Sequence, residues 1–176
     1  MYFEKVSFEQ WCKDVPLQNV PKLKLKEWYE NIIMPTQGSM YSMGIDFFVP
    51  YNISVFPHRK VKIPTGIRWV CEEWDNDSTD NDREYGMLIL PRSSTGVKLG
   101  LRLANTVGVI DADYCDSDNE GHIMLVFENT TDEVVELPKG KAIAQGIITN
   151  YIIPIESSNF AQRNGGFGST DWFSNN

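Results

Sequence analysis

Two textures of apolar and polar positions divide this chain. Over residues 1–33 the apolar positions recur at helical spacing. In "SFEQWCKD", Ser7 with Gln10 three residues on forms a capping-box pattern, and Phe8, Trp11 and Cys12 fall on one helical face. In "KLKLKEWYENII", Leu25, Trp28, Tyr29 and Ile32 predict a second helix, although Leu23 and Leu25 alternating with lysines also fit the start of a strand. From about residue 44 the period shortens. The runs "GIDFFV", "ISVF", "VKI", "IRWVC", "GMLIL", "IMLVFEN", "VVEL" and "AIAQGIITNYII" are divided by Pro, Gly, Asn and Asp. They are too short and too closely spaced for βαβ units, and they predict an all-β sandwich or barrel. The first 33 residues then read as a helical addition packed on the main domain.

Charge sharpens this picture. The 176 residues carry 16 Lys+Arg against 24 Asp+Glu, a net charge of −8. That balance speaks against a general nucleic-acid binder, which needs a basic face. It leaves room for one anionic ligand in a locally positive pocket. Most of the excess sits in "EEWDNDSTDNDREYG" (72–86), whose seven acids and one arginine give −6. This segment reads as a solvated surface insertion. "CDSDNEG" (115–121) reads as a shorter acidic loop without the full arrangement of an EF-hand site. Cys12, Cys71 and Cys115 are widely spaced with no CxxC, as expected of reduced thiols. No apolar run reaches the ~18 residues of a membrane span, and "MYFEKVSFEQ" does not read as a signal peptide. The expected address is the cytoplasm, of a cell or a phage-infected host.

Several stretches carry chemistry. "LPRSSTG" (90–96) puts an arginine fork and two serine hydroxyls directly after a strand, a set that suits phosphate oxygens. "GVIDADY" (108–114) holds Asp111 and Asp113, which share a face if the chain is extended and are parted if it turns. "GKAIAQGII" (140–148) sets Gln145 amid Ala and Ile. "RNGGFGST" (163–170) surrounds one aromatic ring with three glycines, a composition a core strand avoids.

Taken in order, "MGIDF", "PRSST", "GVIDADY", "KAIAQ" and "RNGGFGST" resemble the five-motif signature of the trimeric dUTP diphosphatase (dUTPase) family, from about Met34 to Thr170. The resemblance implies a jelly-roll-like β-barrel (34–155) behind the N-terminal addition (1–33), with a flexible C-terminal arm (156–176). It implies a homotrimer whose sites draw motifs from all three chains. The implied reaction is Mg²⁺-assisted hydrolysis of dUTP to dUMP and pyrophosphate, which limits uracil in DNA and supplies dUMP for dTMP synthesis. By the same likeness Asp111 is the general base, and Tyr114 packs on the deoxyribose and leaves no room for a 2′-hydroxyl. Asn105 reads the uracil edge with backbone groups of the 105–114 hairpin, Val109 among them. Arg92, Ser93 and Ser94 hold the α and β phosphates, and Gln145 contacts the same phosphates. Asp46 acts on Mg²⁺ through water. In the arm, Arg163 meets the γ-phosphate and Phe167 stacks on uracil. Gly165, Gly166 and Gly168 let the backbone approach, and Ser169 and Thr170 add donors.

The chain departs from the family pattern at three points. Three residues rather than four separate Arg163 from Phe167, "CDSDNEG" replaces the usual basic residue and glycine after "DY", and the tail continues as "DWFSNN" with Trp172 and Phe173. Two rival readings follow. One is a dCTP deaminase, or a bifunctional deaminase-diphosphatase, on the same fold. The other is a regulatory binding protein that grips a protein partner through 1–33, 72–86 or 115–121.

Overall fold

The computed structural model describes residues 1–71 and 83–152. Among the described residues the strands pair antiparallel throughout, in four sheets that build a jelly-roll-like fold. The widest sheet has the order β2-β3-β12-β7-β9, from β2 (Thr36–Gln37), β3 (Ile45–Phe48), β7 (Arg83–Pro91), β9 (Gly108–Ile110) and β12 (Ala142–Ile152). A second sheet sets β10 (Met124–Asn129) between β5 (Lys60–Pro64) and β8 (Leu101–Leu103). β4 (Ile53–Val55) pairs with β11 (Val135–Leu137). The short strands alternate buried and exposed residues, so Ile53, Val55, Leu101, Leu103, Val135 and Leu137 point inward. Each fully buried side chain of this kind contributes roughly 1.5–3 kcal/mol.

The apolar runs of the sequence locate β3, β4, β5, β6, β7, β10, β11 and β12. Two elements differ from expectation. Residues 1–33 are not wholly helical, because they open with β1 (Tyr2–Lys5), which pairs with β6 (Ile67–Val70). Its one inward ring, Phe3, lies edge-on to Phe47 at 5.8 Å, but the other apolar residues of this stretch recur at helical spacing. Residues 93–97 form a short helix, α3 (Ser93–Val97), where the sequence alone shows only an arginine fork and two serines after a strand.

Two helices complete the N-terminal addition: α1 (Phe8–Asp14) and α2 (Lys22–Glu30). Half of the expected capping box is present, since Gln10 N donates to Ser7 Oγ at 3.1 Å. The return half is replaced. Ser7 N and Ser7 Oγ donate to the two carboxylate oxygens of Glu120, each at 2.6 Å. A charged carboxylate is the stronger acceptor, so it displaces a neutral glutamine amide from this position. The Gln10 side chain donates instead to Asp14 Oδ2 at 2.8 Å.

The addition is seated on the barrel by aromatic rings and one glycine. Trp28 stacks on Tyr51 at 4.7 Å, and Trp11 meets Tyr51 edge-on at 6.4 Å. Gly66, with φ +75°, lies beneath α1. A Cβ there would overlap Ile32 Cδ1 and come within 3.1 Å of Trp11 Cδ1. Both the backbone angle and the close approach therefore call for glycine.

Candidate active site

β12 is the spine of the site. It pairs with β3 on one side and β7 on the other, so Gln145 lies opposite Asp46 and opposite Leu90. Arg92 follows two residues after Leu90, where β7 ends. The β12–β3 register shifts between Ala142 and Ala144, and Arg92 N donates to the carbonyl of the intervening Ile143 at 3.2 Å. A bulge of this kind bends a strand and re-aims what it carries. Here it holds the backbone of Arg92 across the strand end.

Asp46 and Arg92 meet over this floor, Nε to Oδ1 at 3.2 Å, with the Asp46 side chain 14 % and the Arg92 side chain 40 % exposed. Ser93 and Gln145 join them around a cleft of about 420 Å³. Gly44 lies directly against Gln145, and a Cβ at that position would overlap Gln145 Oε1. The glycine of "MGIDF" and the glutamine of "KAIAQ" are thus packed as a pair. Ser94 is half-buried in the first turn of α3, beside the cleft-lining Ser93.

The opposite wall comes from the turn at 38–44, whose Ser42 and Met43 line the cleft. Gln37 Nε2 donates to Ser42 O at 2.6 Å, and the Ser39 and Ser42 hydroxyls lie 2.8 Å apart. Sequence reading missed these residues. Their one signal is the Gly/Ser-rich punctuation of "GSMYSMG" ahead of "ID".

Asp111 stands elsewhere. β9 pairs with β7 at Met87↔Ile110, so Asp111 follows at the Gly86 end of β7. Arg92 lies five residues beyond Met87 in the other direction, roughly 17 Å along the strand. The two residues of one chain therefore face different ends of the same sheet. Asp111 is the half-buried N-cap of a 3-10 turn, Ala112–Asp116, which parts it from the exposed Asp113. Asn105 is exposed at the turn between β8 and β9, and Val109 is 60 % exposed on β9. Tyr114 is 3 % exposed. Its hydroxyl donates to His122 O at 3.1 Å and accepts from Asn119 Nδ2 at 2.9 Å.

Among the described residues no group of three or more His, Cys, Asp or Glu comes together to hold a metal. No helix among them is long and apolar enough to cross a membrane. Arg163, Phe167, Gly168, Ser169 and Thr170 lie outside the described residues, as do Trp172, Phe173 and most of the acidic insertion.

Compared with known proteins, residues 30–171 match the dUTPase family profile. The chain belongs to the dUTPase family. It is 34 % identical over 147 residues to the deoxyuridine 5′-triphosphate nucleotidohydrolase of Lactococcus lactis subsp. lactis, covering 81 % of this chain and 91 % of that one. The Hydrogenobaculum enzyme of the same name is 31 % identical over 155 residues, covering 85 % and 97 %. Among solved structures, the dUTPase of Streptococcus mutans superposes with a TM-score of 0.64 at 26 % identity, covering 88 % of this chain and 98 % of that chain. A mutant dUTPase of phage phi11 of S. aureus, which coordinates a structural Mg(II) ion, superposes with a TM-score of 0.55 at 20 % identity, covering 71 % and 88 %, and so shares the fold. The N-terminal 29 residues lie outside the family match.

Proposed function

We propose that this chain hydrolyses dUTP to dUMP and pyrophosphate at sites shared between copies of a homotrimer. The observation that carries the reading is the separation of Asp111 from the Asp46–Arg92–Ser93–Gln145 cleft along β7. A base six residues, roughly 20 Å along the strand, from Arg92 of its own chain serves the cleft of another copy. Family membership and the names of the enzymes it resembles supply the substrate.

Each residue then has a role. Arg92 offers five N–H donors; its Nε side is ion-paired with Asp46, and its Nη face matches phosphate oxygens. Ser93, Ser94 and Gln145 add neutral donors along the α and β phosphates. Asp111 accepts a proton from the water that attacks the α-phosphorus. The new bond joins that water oxygen to the α-phosphorus, the α–β bridging bond breaks, and pyrophosphate leaves. Tyr114, buried and held by two hydrogen bonds, is a wall that does not swing aside, as exclusion of a 2′-hydroxyl requires. Asn105 and the backbone near Val109 read the uracil edge. Arg163, Phe167, Gly168, Ser169 and Thr170 close over the nucleotide and exclude water. One carboxylate at the cleft, Asp46, fits a hard cation held mainly by phosphate oxygens and water. Mg²⁺ held there would supply positive charge to offset that developing on pyrophosphate.

The test is a panel of dUTP, UTP, dTTP and dCTP with Mg²⁺, products separated and pyrophosphate measured. The expected result is turnover of dUTP alone, falling ~10²–10⁴-fold in Asp111→Asn while nucleotide binding persists. Consumption of dCTP would make the chain a deaminase on the same fold.

A further inference from the structure

The loop after the 3-10 turn connects Tyr114 to the N-terminal addition through one buried imidazole. The His122 side chain is fully buried. Its Nε2 accepts from Gly66 N at 2.7 Å, and a backbone N–H can only donate, so the ring proton sits on Nδ1. That Nδ1 donates to Asp14 Oδ2, also at 2.7 Å, at the last residue of α1. Gln10 donates to the same Asp14 oxygen and fixes it from within the helix. On the other side, the carbonyl of His122 receives the Tyr114 hydroxyl, and His122 N donates to Asn119 O at 3.1 Å. Tyr114 N in turn donates to Asp111 O at 3.1 Å. A continuous hydrogen-bonded path thus runs from Asp14 through His122 to Tyr114 and Asp111. Asp14 lies in the part of the chain outside the family match, and His122 directly follows the "CDSDNEG" segment that departs from the family pattern.

We propose that Asp14 and His122 are positioning residues that hold Tyr114 in place, so that the N-terminal addition sets the discrimination between deoxyribose and ribose. This rests on the reading of Tyr114 as the sugar wall. The acceptor for Tyr114 is a backbone carbonyl whose place depends on where the His122 ring is anchored. One anchor is the Gly66 turn and the other is α1. Release of the Asp14 anchor leaves the ring proton buried without a partner, a cost the loop relieves by moving. Any such movement carries the His122 carbonyl, and with it the tyrosine ring.

The experiment measures kcat and KM for dUTP and UTP with the full chain and its variants. Asp14→Ala is expected to lower the dUTP:UTP ratio of kcat/KM about tenfold, the scale of one buried charge-assisted hydrogen bond. Asp14→Asn restores most of that ratio, because its amide oxygen still accepts from Nδ1. Asp14→Glu keeps the charge but displaces the acceptor, so it tests the same link if the alanine variant does not fold. Tyr114→Phe lowers the ratio as well, and Asp14→Ala added to it produces no further loss. An Asp14→Ala enzyme with lowered thermal stability but an unchanged ratio overturns the inference while leaving the sugar-wall reading in place. A Tyr114→Ala enzyme with an unchanged ratio overturns that reading, and the inference falls with it.

Discussion

The Asp46–Arg92–Gln145 cleft and the 105–114 hairpin sit on the same sheet but are built by different means. The cleft is positioned by strand register. Asp46, Gln145 and Arg92 occupy β3, β12 and the end of β7, three neighbouring strands locked by backbone ladders. The hairpin end is positioned by single hydrogen bonds from distant parts of the chain. Asp14 comes from α1, Gly66 from a turn, and His122 and Asn119 from the loop after the 3-10 turn. A ladder holds spacing through many equivalent bonds, so single substitutions remove chemistry and leave geometry. A chain of individual hydrogen bonds has no such redundancy, so single substitutions there move the parts.

The largest separation of the two regions comes from Arg92→Ala. Activity is expected to fall ~10²–10³-fold, as when one charge-stabilising donor is removed, with little change in melting temperature, because Arg92 is partly exposed. Steady-state kinetics and thermal melts on the same preparation check both halves. Next is Gly66→Ala at the seat of α1. It strains a positive φ and drives a Cβ into Ile32 and Trp11, and should lower stability by ~2–3 kcal/mol in urea unfolding. A variant as stable as the parent would show that the addition is only loosely seated.

The smallest effect is acid sensitivity. Burial alone would raise the Glu120 carboxyl, but the hydroxyl and amide of Ser7, aided by Arg68 and Lys13, hold it below its usual range. Asp14 behaves alike: burial pushes it up, and hydrogen bonds from His122 and Gln10, with the charge of Lys62, bring it down. A carboxyl depressed in the folded state contributes stability above its unfolded pKa and loses it as pH falls through the folded one. Melting temperature should therefore drop below about pH 4, and drop less in the Asp14→Asn, Glu120→Gln double variant. Equal drops in both proteins would place the acid-sensitive contacts elsewhere.

Much of this was legible in the sequence. Eight of the strands carry an apolar run, and the five ordered motifs name the family before any fold is seen. β1 was missed because "YFEK" opens a stretch whose other apolar residues recur at helical spacing, and β8 because "LRL" follows the polar "PRSSTGVKLG" without an apolar run of its own. The spacing of "DADY" left open whether Asp111 and Asp113 share a face, and only the 3-10 turn parts them. The pairing of Gly44 with Gln145 joins positions 101 residues apart in sequence, which no local pattern encodes. The Asp14–His122 contact spans 108 residues and was invisible for the same reason. A lone histidine after an acidic loop has no spacing to give it away.

The central claim is that the base of one copy serves the phosphate cleft of another. Its most direct measurement mixes two inactive variants, Asp111→Asn and Arg92→Ala, by denaturing them together and refolding at equal amounts. A mixed trimer then holds one site with both residues intact. Random assembly should return about a quarter of the wild-type rate, since closed threefold symmetry leaves one good site in each mixed ring. Mixed trimers, verified by mass, that show no activity above the separate variants would contradict the shared site.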